Sequence, residues 1–522
     1  MSRSRAKVRS APVNLFLLVF ITVSPFTGFG QPFLEVTNFP GLFAGPLDWG
    51  DFDNDGRLDL FAAGWHVVSD GGWVPQTRVY RNLGGGNFAE LSGTGLPDVR
   101  DADGMVGDYN KDGNVDVLLS GQSSGFVLSA FRNSGAGSFS EVSGLGPPPA
   151  FSVTWGDMDN DGDLDVSARN YLIQGSPSDF FRNAGNDSFV SVGDPLPSNL
   201  KAATWCDYDQ DGFGDLLATD NPGSGNVRRL FHNNRDGTFT DIGASFAPRG
   251  STAWGDFDND GDPDLLIFSD SGNQIYRNDG SNIFFAVTLG LPATPPGSAI
   301  FGDFDNNGWL DVLVTGNAGG STPVTKLFLN QNGASFTDSG LTLPGAAGPI
   351  RCADFDNDGD LDFAFTGTTT VSGLDPVFKA FRNDIVTKNP RPNPPTGLTA
   401  VITNLSTSLT LSWNPAFDTN QSGGHTYNLR LGTRPGASDI LDPTADTSGF
   451  RRLVAPGNCG GRRSRTFTNL SGGVYYWSVQ AIDHSYVGSP FAPEASFMLA
   501  KPTISDIPDQ VLFPHIANSI PF

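Results

Sequence analysis

The chain has 522 residues and a formal net charge of −24, with 56 aspartates and glutamates against 32 lysines and arginines. That length allows two or three domains and a large buried core, and the acidity argues against a nucleic-acid binder, which needs a basic footprint. Its 65 glycines and 37 prolines, with few helical periods, predict an all-β, turn-rich protein.

Residues 1–30 read as a secretory signal peptide. Arg3, Arg5, Lys7 and Arg9 precede an apolar stretch from Val13 to Val23 and then the small residues Gly28 and Gly30, with cleavage expected before Gln31. That stretch is too short for a comfortable membrane span, and no later segment reaches the roughly 20 apolar residues a spanning helix needs. The mature chain is expected to be secreted or associated with a cell surface. Its three scattered cysteines, Cys206, Cys352 and Cys459, imply no disulfide framework. Cys206 and Cys352 sit just before acidic loops and are expected to be buried thiols.

From residue 51 onward an acidic nonapeptide, D-x-[DN]-x-[DN]-G-x-x-D, occurs seven times. The copies are DFDNDGRLD, DYNKDGNVD, DMDNDGDLD, DYDQDGFGD, DFDNDGDPD, DFDNNGWLD and DFDNDGDLD, and their first residues are 57, 49, 50, 49, 47 and 51 apart. They hold 29 of the 56 carboxylates, so the acidity is local. The spacing suits a unit of four short strands. In the fourth unit these run from Ala202 to Cys206, Asp215 to Thr219, Arg228 to His232 and Thr238 to Ile242. The third strand ends in an aromatic-x-Asn signature before a glycine turn and a Phe, as in Phe231-His232-Asn233 to Phe239 or Tyr80-Arg81-Asn82 to Phe88. Two residues before the acidic loop stand Trp49, Val106, Trp155, Trp205, Trp254 and Phe301, which are expected to face neighbouring units.

Seven such units, none able to bury both faces alone, predict a seven-bladed β-propeller over residues 31–386. The seventh unit stops after Asn383 without a fourth strand, whereas Phe33 to Thr37 is an orphan strand of the missing type. Pairing the two would close the ring and leave no open edge.

The nonapeptide offers side-chain oxygens at positions 1, 3, 5 and 9, a set suited to Ca²⁺, which takes six to eight oxygens. Position 1 is Asp51, Asp108, Asp157, Asp207, Asp256, Asp303 and Asp354, and position 3 is Asp53, Asn110, Asp159, Asp209, Asp258, Asp305 and Asp356. Position 5 is Asp55, Asp112, Asp161, Asp211, Asp260, Asn307 and Asp358, and position 9 is Asp59, Asp116, Asp165, Asp215, Asp264, Asp311 and Asp362. Position 7 varies freely, as expected if only its carbonyl is used, and position 6 is always Gly. Up to seven calcium ions are therefore expected, which would move the net charge from −24 to about −10. The second and sixth copies, with Asn110 and Asn307, are expected to bind least tightly. An EF-hand is excluded because its twelfth position needs a bidentate acid, and here that position holds Ala62, Leu119, Ala168, Ala218, Ile267, Val314 and Phe365. Ordinary acidic turns would explain one copy, but not seven with the same oxygen positions.

The combination of acidic loop and aromatic-x-Asn-glycine hairpin resembles the FG-GAP and VCBS-type repeat proteins, whose best-known propeller is the head of integrin α subunits. The resemblance covers roughly residues 33 to 385. It implies Ca²⁺ held between the first two strands of a blade, on the face opposite the usual ligand surface. Nothing else in the chain matches an integrin, so no partner subunit is implied.

Residues 387–395, which include Lys388-Asn389-Pro390-Arg391-Pro392-Asn393-Pro394-Pro395, read as a stiff linker. Residues 396–499 then show the two-residue period of a β-sandwich, for example Leu409 to Trp413, Thr426 to Leu431 and Tyr475 to Ala481. This stretch resembles a fibronectin type III module, with Trp413 as core tryptophan and Tyr475 or Tyr476 as its corner tyrosine. The insertion at Cys459-Gly460-Gly461-Arg462-Arg463 reads as an exposed loop. Residues 500–522, including Pro502 to Gln510, look like the start of a further, incomplete β module or a tail.

The expected function is non-enzymatic: a calcium-binding propeller that meets a protein or glycan in cell-surface or matrix adhesion. The alternative is a carbohydrate-active protein, either a lectin or a polysaccharide lyase or hydrolase, on the same scaffold. The five histidines form no zinc-type spacing, and Gly121-Gln122-Ser123-Ser124-Gly125 leads into a strand and not the helix a nucleophile elbow requires. If the acidic loops occupy one face, ligand contacts belong to the connections on the other. The longest, Gly64 to Gln76, carries Trp65, His66 and Trp73, and Arg100, Arg169 and Tyr171 lie in other connections. Their aromatic rings could stack on sugars or simply pack at strand ends.

Overall fold

A computed structural model describes residues 32–500 apart from 69, 146–151, 170–178, 198–199, 221–227, 248–249, 270–272, 292–296, 319–321, 371–374, 404–407 and 469. The expected signal peptide, the residues 500–522 segment beyond 500, and Tyr171 lie outside the described residues. Every regular element described is a strand, and no described helix is long and apolar enough to cross a membrane.

Each of the first six repeats forms four antiparallel strands in sequence order, and the seventh supplies three. In the fourth, Leu200–Cys206, Asp215–Asp220, Arg228–Asn233 and Phe239–Phe246 pair in turn, with Trp205 opposite Leu216 and Leu216 opposite Phe231. The acidic loop joins the first two strands, and the aromatic-x-Asn turn joins the last two. Among the described residues such units follow one another, and at most junctions the first strand of one packs beside the first strand of the next to make an all-β propeller.

Closure uses the N-terminal strand. Phe33–Phe43 runs antiparallel to Pro376–Asn383, with Phe33 opposite Asn383 and Glu35 opposite Phe381, then continues to place Leu42 and Phe43 opposite His66 and Trp65 of the first unit. The strand is thus longer than Phe33 to Thr37, and its second half is tied to the opposite side of the seam. Lys379 Nζ lies 2.7 Å from Glu35, while Phe39 stacks on Phe378 at 4.3 Å and meets Tyr80 and Phe88 edge-on. The ring is therefore sealed by aromatic packing as well as by backbone pairing.

Between units, the second residue of each acidic loop is part of the packing. Phe52, Tyr109, Met158, Tyr208, Phe257, Phe304 and Phe355 are all buried. Tyr109 stacks on Trp155 of the next unit, Phe52 meets Phe139, and Phe355 stacks on Trp49, so the last loop packs into the first unit. Of the residues two before the loop, Trp49, Val106, Trp155 and Phe301 are buried, whereas Trp205 and Trp254 are half-buried. Cys352 and Cys459 are buried and Cys206 is half-buried, all as free thiols.

Residues 399–499 form two three-stranded sheets, Thr399–Thr403, Ser408–Ser412 and Ser464–Thr468 in one, and Thr426–Gly432, Gly473–Ile482 and Ala495–Leu499 in the other. Trp413 and Trp477 meet between them at 6.5 Å. The hydroxyl of Tyr475 donates to Ser471 O at 2.7 Å, while Tyr476 is only half-buried. Of the two tyrosines it is therefore Tyr475 that is buried with its hydroxyl bonded to the backbone.

Two expectations about loops need correction. Gly64 to Gln76 is no long connection, because Asp59–Val67 and Trp73–Gly84 extend as a paired hairpin through most of it. The insertion at Cys459 is not exposed as a whole: Cys459 is buried in the core of the second module, and Arg462 is only 14% exposed because it packs against the fourth acidic loop.

Truncating a buried Phe to Ala costs about 3–5 kcal/mol in typical cores. Phe39→Ala should fall in that range, since Phe39 joins the first and seventh units. Equilibrium urea unfolding checks this, and a loss below about 1 kcal/mol would show that the seam does not depend on this ring.

Candidate metal centres

Each acidic loop is shaped by its own carboxylates before any ion is considered. In the first, Asp51 Oδ1 accepts from the backbone N–H of Asp55 at 3.0 Å and Oδ2 from that of Gly56 at 3.1 Å. Asp59 Oδ2 accepts from Phe52 N at 3.1 Å and Oδ1 from Asn82 N at 2.8 Å. The bend needs two left-handed residues. Gly56 has φ +82°, and the fourth position is left-handed in every copy: Asn54, Lys111, Asn160, Gln210, Asn259, Asn306 and Asn357. Five of these seven are Asn, the non-glycine residue that best tolerates this region.

The same geometry draws side-chain oxygens together. Asp51, Asp53 and Asp59 each offer an oxygen within 4.8 Å of the others, as do Asp157, Asp159 and Asp165, then Asp207, Asp209 and Asp215, then Asp256, Asp258 and Asp260. One atom recurs without a partner. Oδ1 of Asp53, Asp258, Asp305 and Asp356, all third-position residues, is buried with no hydrogen bond. In the second loop the orphan at that position is Asn110 Nδ2, and in the fourth the orphans are Asp207 Oδ1 and Asp215 Oδ2. A buried carboxylate oxygen facing other carboxylates needs a cation or a proton, so the donor set fits a hard divalent ion.

Electrostatics agree. Burial raises Asp59, Asp165 and Asp215 to about 8 and Asp116 and Asp264 to about 9, with neighbouring loop carboxylates adding to the shift. Asp303, Asp311 and Asp362 are driven well above the ordinary aspartate range by the same burial. Part of the negative charge is answered by the middle residue of the aromatic-x-Asn signature. Arg81 pairs with Asp53 and Asp55, Arg132 with Asp112 at 3.3 Å, Arg382 with Asp356 at 3.7 Å, and His232 with Asp209 at 3.1 Å. Sequence reading gave this residue no role, although its position beside the invariant Asn marked it.

The rim that carries the acidic loops is covered by residues 388–487. Asp51 N donates to Arg452 O, Arg452 Nη1 to Gly113 O at 2.7 Å, and Asp303 N to His484 O at 3.2 Å. Arg462 reaches Asp207, Arg465 reaches Asp157, and Lys388 Nζ lies 2.7 Å from Asp358. A cavity of about 730 Å³ remains between the fourth and fifth loops and this covering segment, lined by Asp207, Asp256, Trp205, Trp254, His425 and Arg462. A second, of about 560 Å³, occupies the bore of the ring beside Asp48, Asp103 and Arg351, with Tyr486 and Val454 at its edge.

The candidate ligand residues divide. Trp65, His66, Trp73 and Arg100 come together at the ends of strands remote from the acidic loops. Arg100 lies over the Trp65 ring at 4.7 Å, Trp65 Nε1 donates to Asp101 Oδ1 at 3.0 Å, Trp73 meets Trp65 edge-on, and His66 bonds Gly41 O. Arg169 does not belong with them. It has no exposed area, forms a two-pronged pair with Asp194 at 2.9 and 3.2 Å, and donates to Leu200 O. Its role is to tie the end of the third unit to the first strand of the fourth and not to meet a ligand.

A sequence profile described as the FG-GAP-like repeat matches residues 51–119, 108–167, 207–267, 256–314 and 303–365, which together take in all seven acidic loops. The chain belongs to the FG-GAP-like repeat family. No curated protein matches it. Among solved structures, a fungal alcohol oxidase of the AA5 family in complex with copper is 13% identical over 90% of this chain and 98% of its own, at a TM-score of 0.44. An Agrocybe aegerita lectin that recognises non-reducing terminal N-acetylglucosamine is 13% identical over 81% and 85%, at 0.29. The extracellular domain of a B. thetaiotaomicron protein designated a hybrid two component system is 12% identical over 90% and 58%, at 0.37. These proteins differ in chemistry and carry none of it to this FG-GAP-like chain.

The ninth-position carboxyls lie above the 3.8 of an ordinary aspartate, so in the ion-free protein protonation favours the folded state. That gain is complete below about pH 4 and is lost as pH rises through about 8 to 9. In excess chelator the melting temperature should therefore fall between about pH 5 and about pH 9. A chelated protein whose melting temperature rises over that range would contradict the burial of these carboxyls.

Proposed function

We propose that this FG-GAP-like chain is a secreted, non-enzymatic, calcium-binding seven-bladed β-propeller with a fibronectin type III-like module, acting in cell-surface or matrix adhesion through a protein or glycan ligand. The observation that carries the calcium part is the third-position carboxylate oxygen left buried and unpartnered in four separate loops. Carboxylates at positions 1, 3, 5 and 9 and the carbonyl of position 7 would hold the ion, which supplies positive charge where burial otherwise forces protonation. The ions would then serve as struts for the ring.

A binding role and not catalysis is supported by what the chemically able residues already do. Ser123 lies in a tight hairpin between Asp116–Gln122 and Phe126–Asn133, with its N–H bonded to Gly125 O. His232 is paired with a loop carboxylate, and His425 and His484 are buried. The ligand surface assigned by this reading is the rim remote from the acidic loops, since their own rim is covered. A glycan is the favoured ligand there, because Trp65 and Trp73 offer aromatic surface beside the polar groups of Arg100 and Asp101.

Titration calorimetry with Ca²⁺, paired with melting in excess chelator, tests the metal reading. Several sites with Kd on the order of 10⁻⁴ to 10⁻³ M are expected, as in extracellular modules, with a melting temperature that rises with calcium. Absence of both binding heat and chelator sensitivity would defeat it. Glycan-array binding that Trp65→Ala and Trp73→Ala weaken by tenfold or more, about 1.4 kcal/mol, would support the ligand surface. Release of reducing ends or unsaturated products from a polysaccharide would instead make the chain an enzyme.

A further inference from the structure

Arg465 and Arg462 reach the acidic rim from the covering module, and each lands on the carboxylate that opens a loop. Arg465 Nη2 lies 3.5 Å from Asp157 Oδ2 in the third loop, and Arg462 Nε lies 3.2 Å from Asp207 Oδ2 in the fourth. Both guanidinium groups are held from behind. Arg462 Nε also donates to Cys459 O at 3.1 Å, and Arg465 Nη1 donates to Asn458 O at 3.2 Å while Nη2 meets Asn160 O at 3.5 Å. Their side chains are 14% and 3% exposed, so neither can swing into water without moving the covering segment.

The other loops differ. Among the described residues no ion pair reaches Asp51, Asp108, Asp256, Asp303 or Asp354, the opening carboxylates of the remaining five. The arginines of the aromatic-x-Asn signature touch third or fifth positions only. At 42%, 45% and 27% exposed, Arg81, Arg132 and Arg382 can turn aside when an ion arrives. By composition alone the third and fourth loops, each with acids at positions 1, 3, 5 and 9, rank among the strongest sites.

We infer that Arg465 and Arg462 are the resident cations of the third and fourth acidic loops, which therefore bind a divalent ion more weakly than the first, fifth and seventh. A fixed guanidinium a few ångströms from a divalent ion repels it, most strongly where water is excluded. Reciprocity then requires that an ion entering either loop weakens the hold of the covering module on the ring. This inference rests on the calcium reading, and it assigns the ions to particular loops.

The test is calcium titration calorimetry on the full chain, comparing the wild type with Arg462→Gln/Arg465→Gln, folding being checked by thermal melting. In the wild type the strongest class should hold three sites, and in the double variant the third and fourth loops, roughly tenfold or more weaker in the wild type, should join it to make five. A second pair of variants keeps the inference open to failure if the arginine variant does not fold. Asp157→Asn/Asp207→Asn should leave the strongest class intact, whereas Asp256→Asn should remove one member of it. An isotherm unchanged by the arginine substitutions, or loss of strong sites in Asp157→Asn/Asp207→Asn, overturns the inference while leaving calcium binding in place. A wild type with no calcium heat overturns the calcium reading itself and this assignment with it.

Discussion

In every unit the ninth carboxylate of the acidic loop accepts the backbone N–H of a buried asparagine, from Asp59 with Asn82 at 2.8 Å to Asp362 with Asn383 at 2.7 Å. The asparagine then donates its side-chain N–H to the preceding loop's second residue: Asn133 to Phe52 O, Asn233 to Met158 O, Asn330 to Phe257 O and, across the seam, Asn82 to Phe355 O. One buried pair thus shapes a loop, ends a strand and joins two units. Buried hydrogen bonds of this kind are costly to leave unmade, which makes the loop a structural part of the ring as well as a candidate ion site.

The aromatic packing follows from that bond. Holding the carbonyl of the second residue fixes its side chain, and Phe52, Tyr109 and Phe355 are aimed into the next unit. The acidic loop therefore faces two ways: apolar toward its neighbour, and anionic toward the rim. Burial that favours the first aggravates the second, since it leaves carboxylates with raised proton affinity and oxygens without partners. Arginines of the chain answer part of this charge, and divalent ions are proposed to answer the rest.

Much of this was legible in the sequence because it repeats. The acidic nonapeptide, the aromatic-x-Asn turn and the orphan strand at Phe33 recur or fail to recur at fixed spacing, so periodicity pointed to the units and to how the ring closes. The second-position residues, mostly aromatic, are equally periodic, but they stand between acids whose own pattern already accounts for the repeat. What had no period was not legible. The burial of Arg169 leaves no local mark, because its partner Asp194 lies 25 positions away in an irregular stretch. Arg462 and Arg465 belong to the second module but reach carboxylates some 250 to 310 positions away in the ring, and no local pattern marks a docking surface.

The central claim is that the acidic loops are divalent-cation sites built into the frame of the ring. Native mass spectrometry of the intact chain across a calcium series counts the ions directly. The account predicts stepwise uptake that passes through a three-ion state before further ions add at higher calcium. A chain that stays ion-free throughout the series would contradict it.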